Sequence, residues 1–117
     1  MITDAFLATP LGSATLGVTA AAQTVLLPKG TPSQIDTMKA GGADVVMTNT
    51  GAAGGVIIYV ELFNSQQPVV ATVANSFPLL GGMSKTFRRG QGDDSVSAIA
   101  SAAGPTNLVV SVGTGGL

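Results

Sequence analysis

Residues 88–94 read Arg-Arg-Gly-Gln-Gly-Asp-Asp and gather four of the chain's eleven charged side chains (five basic, six acidic). A charged active-site loop and a cation-binding loop are the two chemistries that such a run could serve. In a strand, Arg88 and Arg89 project to opposite faces and cannot line one pocket. A calcium loop takes six to eight oxygen ligands at alternating positions, and Asp93 and Asp94 supply one adjacent pair. The run therefore reads as the turn of a hairpin, with the arginines facing the aspartates across it and helping to set register.

Other chemistry fares no better. Asp4, Asp36, Asp44, Glu61, Asp93 and Asp94 are dispersed, and nothing fixes two of them at the separation that acid–base hydrolysis requires. The chain has no His and no Cys, which removes the commonest general base, the commonest metal ligand and any thiolate. Serines and threonines abound, but no G-x-S-x-G elbow occurs, and Ser84 and Lys85 would point to opposite faces of a strand. The closing Gly-Thr-Gly-Gly-Leu has no helix after it to hold a phosphate. No catalytic residue, metal or cofactor is expected.

Composition turns the question from reactions to contacts. Charged residues make up 9% of the 117, with a net charge of −1, against about 25% in ordinary soluble domains. Five basic residues and five Phe or Tyr are too few and too scattered for a nucleic-acid partner. No run approaches the roughly 18 apolar residues of a membrane helix. Asp4 stands where a secretory signal would be basic, so synthesis in a cytoplasm is expected. A chain of low net charge tends to associate, and the expectation is a homo-oligomer, a trimer before a dimer.

The elements that would carry those contacts are strands. Residues 13–20 alternate Ala14, Leu16 and Val18 with Ser13, Thr15 and Thr19, a period of two. Runs rich in β-branched residues and bounded by turn formers follow at 23–28, 43–50, 56–63, 68–74, 84–89, 95–101 and 107–113. The glycines of 49–55 and 90–94 suit hairpin turns, and Pro105 marks another turn at 102–106. The fold class is all-β, an antiparallel β-sandwich or jelly roll of about eight short strands. Residues 31–41 suit one short helix, or equally a loop that carries Ile35 and Met38 to the core. In 56–63 both faces are apolar, which predicts a central strand. Glu61 would be a solvated strand-end charge or an interface ion pair.

Residues 1–12 stand apart as an extended arm ahead of a sandwich domain at 13–117. Phe6, Leu7 and Leu11 give the arm an apolar side, and twelve extended residues reach roughly 40 Å. It either anchors to a neighbour or completes the protein's own sheet.

Three successive stretches then suggest a family. Asn49 to Gly51 ends a strand in an Asn-x-Gly turn, and Pro78 to Gly81 precedes a short strand holding Phe87. Ala98 to Ala100 precede the last strand and the glycine-rich Gly113 to Gly116. Over residues 43–117 this order resembles small phage and prophage β proteins. The 61–70 segment and the doubled arginines depart from that pattern, which leaves the partner surface open. The resemblance implies a non-enzymatic virion structural protein, a head decoration or cement protein on the outer capsid surface with the major capsid protein as partner. Phe6, Leu7, Leu11, Arg88 and Arg89 are the candidate partner-binding residues. The alternative is a glycan- or ligand-binding module of a head fibre or tail, which the lack of Trp and the single Tyr disfavour.

Overall fold

The computed structural model describes residues 7–27, 44–52, 54–89, 93–102 and 106–114, with residues 7–11 and 114 described by backbone alone. Eight strands are present: β1 (Leu7–Val18), β2 (Gln23–Leu26), β3 (Asp44–Asn49), β4 (Ile58–Phe63), β5 (Phe77–Leu79), β6 (Ser84–Arg88), β7 (Ser95–Ala100) and β8 (Thr106–Thr114). They form two four-stranded sheets, sheet A in the order β1-β8-β3-β6 and sheet B in the order β2-β7-β4-β5. Every pair is antiparallel. This is jelly-roll connectivity, and no described residue is helical. The expected helix at 31–41 lies outside the described residues.

The period-two pattern becomes the two faces of each sheet. In sheet A, Val18, Val45, Met47, Leu108, Val110 and Val112 are fully buried, and in sheet B Ile58, Val60, Leu79, Val96 and Ala98 meet them. Phe77 on β5 and Phe87 on β6 close one side of the sandwich, their rings edge to face at 5.2 Å, a favoured aromatic geometry. β4 is central, as its doubly apolar sequence predicts, between β7 and β5.

Two expectations are corrected. The glycine runs are not hairpin turns. β3 and β4, β6 and β7, and β7 and β8 lie in different sheets, so 50–57, 89–94 and 101–105 cross from one sheet to the other. Glycine supplies the same freedom of φ to a crossover as to a hairpin, and Gly54 (φ 78°) uses it. The expected strand at 68–74 is also absent, and Phe77–Leu79, outside every expected strand, forms β5 instead. Residues 72–76 fold into a local turn that side chains hold. Thr72 N–H donates to Ser76 Oγ (3.0 Å), Asn75 N–H to Thr72 Oγ1 (3.2 Å) and Ser76 N–H to the Thr72 carbonyl (3.1 Å). Such short side chains compete with sheet ladders for the backbone.

The sheets are joined at Asn49, which is fully buried. Its Nδ2 donates to the carbonyls of Val56 and Leu79, each at 2.9 Å. Its Oδ1 accepts from Gly51 N–H at 2.9 Å and from Thr106 Oγ1 at 3.1 Å. Its backbone N–H donates to the Met83 carbonyl and its carbonyl accepts from Gly82 N–H, both at 2.9 Å. One side chain thus satisfies groups on the crossover before β4, the end of β5 and the start of β8. Gly51 is required here, because a Cβ would lie 2.9 Å from Thr106 Oγ1 and 3.1 Å from Asn49 Oδ1. At Gly81 a Cβ would overlap the Ala52 carbonyl oxygen.

Leaving a buried polar group unpaired costs about 1–3 kcal/mol, and Asn49→Ala orphans several at once. The variant is expected to lose about 3 kcal/mol or more of unfolding free energy in a urea titration. Asn49→Asp is expected to do as badly, since it points an acceptor at two carbonyls. A loss below about 1 kcal/mol, the net worth of one ordinary hydrogen bond, would show that water or rearrangement replaces the amide.

Candidate interaction surfaces

Arg88 and Arg89 have separate roles. Arg88, exposed at the end of β6, sits opposite Asp44 of β3, with Nε 3.5 Å from Asp44 Oδ1. Arg89, past the strand end, is 7% exposed and donates from Nε (3.1 Å) and Nη2 (2.8 Å) to the Asp93 carbonyl. The expected pairing of arginines with aspartates across a hairpin is therefore replaced. One arginine pairs with a different strand, and the other holds the backbone of the crossover. Of the two, only Arg88 is exposed. Ser84 shares a 2.7 Å hydrogen bond with Thr48 Oγ1 and makes no dyad with Lys85.

Phe6 lies outside the described residues. Leu7 and Leu11 belong to β1, where Leu7 pairs with Thr114 and Ala8 with Gly113. β1 runs unbroken past residue 12, with a register shift between Ala8 and Ser13 that accommodates Pro10. From residue 7 onward the backbone of the arm is part of sheet A.

A surface that sequence reasoning missed lies on sheet B. Ser95 and Ser97 of β7 and Phe63 of β4 alternate with core residues and so face outward, yet all are buried. Residues 64–76 cover them. Ser65 N–H and Ser65 Oγ each donate to the Asp94 carboxylate at 2.8 Å, and Ser95 Oγ adds a third bond at 3.0 Å. Further along, Ala71 N–H donates to Ser97 Oγ at 2.9 Å. Ser76 Oγ donates to Glu61 Oε2 at 2.9 Å, so Glu61 is a half-buried acceptor that anchors this segment. Moored at these three places, the segment presents Val69, Val70 and Val73 outward, with Val70 65% exposed. Leu26 of β2 pairs with Ser95 and is 66% exposed on the same face. Between Asp44 and Lys85 the sole charged residue is Glu61. The signal was present in the sequence as Pro68-Val69-Val70, but β propensity assigned it to a strand.

The described residues contain no group of three or more acidic side chains able to hold a metal ion, and no helix long and apolar enough to cross a membrane. Comparison with protein-family models, curated proteins and solved structures gives no match.

The hydrogen bonds from Ser65, and secondarily that from Ser95, hold the Asp94 carboxyl below its ordinary value. A carboxylate whose folded pKa is depressed stabilises the fold above its unfolded pKa and loses that contribution as pH falls through the folded value. Ser65→Ala should therefore raise the Asp94 pKa and lower stability near neutral pH, with a shallower acid limb, so that the difference from wild type closes as pH falls. Melting curves from pH 2 to 7 check this, and an acid limb unchanged in Ser65→Ala would contradict it.

Proposed function

We propose that this chain is a non-enzymatic virion structural protein, a head decoration protein that binds the outer capsid surface, with the major capsid protein as partner. The observation that carries the reading is the exposed Val69, Val70 and Val73, on the same face of sheet B as Leu26, held on a moored segment, 64–76, that itself carries no charge. Interface centres are depleted of charge, and each valine, already about half buried, can contribute roughly half of the 1.5–3 kcal/mol of a full burial. Jelly rolls serve capsids, but also lectins and cupins, so the architecture supports the reading by analogy alone. The sequence resemblance over residues 43–117 points the same way.

Copy number on particles is the test. Wild-type chain is expected to sediment with assembled particles in a fixed ratio to the major capsid protein. Val70→Asp with Val73→Asp, both exposed positions, should leave the melting temperature nearly unchanged and abolish co-sedimentation. Wild-type chain that stays at the top of the gradient would overturn the reading, and selective binding on a glycan array would replace it with the attachment-module alternative.

A further inference from the structure

A β-sandwich has four edge strands, and here three of them carry recognised protection against pairing with other chains. β2 spans only Gln23–Leu26. β5 spans only Phe77–Leu79 and contains Pro78. β6 carries Lys85 and Arg88, both exposed. β1 differs from all of them. From Ala5 to Pro28 the sequence has no charged side chain. Pro10 and the register shift guard the first half of β1, but from Ser13 to Val18 it pairs residue for residue with β8. Among the described residues no strand lies on its other side. In an antiparallel strand alternate residues direct N–H and C=O to opposite sides, so half of this stretch presents its backbone outward.

We propose that residues 13–17 of β1 pair antiparallel with the same residues of a second copy, Thr15 opposite Thr15 across a twofold axis, and join the two A sheets into one continuous sheet. The occupant is a second copy because the stretch is complementary to itself. Antiparallel self-pairing keeps Ala14, Leu16 and Val18 on the core side and Ser13, Thr15 and Gly17 on the outer side. It brings no like charges together. Leu16, partly buried against the core at this edge, would be covered further by the partner strand. The contrast within sheet A is the strongest support, since its other edge, β6, carries two cations and β1 carries none. Such a contact closes as a dimer, in place of the trimer that composition suggests, and it does not depend on the virion reading.

Sedimentation velocity on Thr15→Lys and Thr15→Glu, each alone and mixed, tests this, with circular dichroism melts confirming that each folds. Thr15 is exposed, and like charges directly opposite on paired strands repel. Wild-type chain should be dimeric at about 100 µM, well above a micromolar dissociation constant. Each variant alone should dissociate about tenfold or more readily, and the equimolar mixture should recover the dimer. Wild-type monomer at that concentration, variants that dimerise like wild type, or a mixture that stays monomeric would each overturn the proposal. Thr15→Cys, in a chain without cysteine, gives an independent reading. Added oxidant should link it into a covalent dimer while Lys85→Cys on β6 stays monomeric, and equal yields for the two would count against β1.

Discussion

The amide of Asn49 is the constraint on which the rest of the sandwich depends. Two sheets packed face to face are held by burial, which has no direction and fixes no register between them. Directional bonds must fix it. Asn49 sits on β3 in sheet A, and its Nδ2 reaches the Leu79 carbonyl of β5 in sheet B. A buried amide with both donors and its oxygen engaged tolerates one arrangement and penalises others, because any shift leaves a polar group without water or partner. The glycines at 51, 81 and 82 follow from it, since they let the two crossovers approach closely enough for the amide to reach.

That junction also determines what the surface presents. Fixing β5 against β3 fixes the end of the 64–76 connection, whose start is moored at Asp94 and whose middle is moored at Ser97. The valines are therefore carried on a segment whose polar groups are spent inward on sheet B. Hydroxyl and carboxylate groups that a catalytic reading would inspect first, Ser65, Ser76, Glu61 and Asp94, are engaged as structural ties.

Much of the layer structure was legible in sequence, because burial of one face imposes a period of two. Ser13 and Thr15 against Ala14 and Leu16 in β1 were assigned to the correct sides, and seven of the eight strands lie where their β-branched runs predicted. Which sheet each strand joins was not legible. A glycine-rich connection has the same composition whether it returns within a sheet or crosses to the other. The 68–74 run misled for a related reason. Its valines have strand propensity, but Ser97 and Ser76 capture the backbone N–H groups of Ala71 and Thr72, and Ser97 is distant in sequence. Asn49 was visible as the start of an Asn-x-Gly turn, and the Gly51 contact bears that out locally. Its partners at 56, 79 and 106 gave no signal that could tie them to it.

Native-state hydrogen exchange resolved by residue tests the central claim most directly. If Asn49 locks the two sheets into one cooperative unit, the amides of Asn49, Thr50 and Gly82, bonded to Met83, Asn107 and Asn49 respectively, open only with global unfolding. They should then share the protection of core amides such as Val96 and Val110. Exchange at these three amides a hundredfold or more faster than in the core, about 2.7 kcal/mol of independent opening, would contradict the account and make the junction a local ornament of a sandwich held by burial alone.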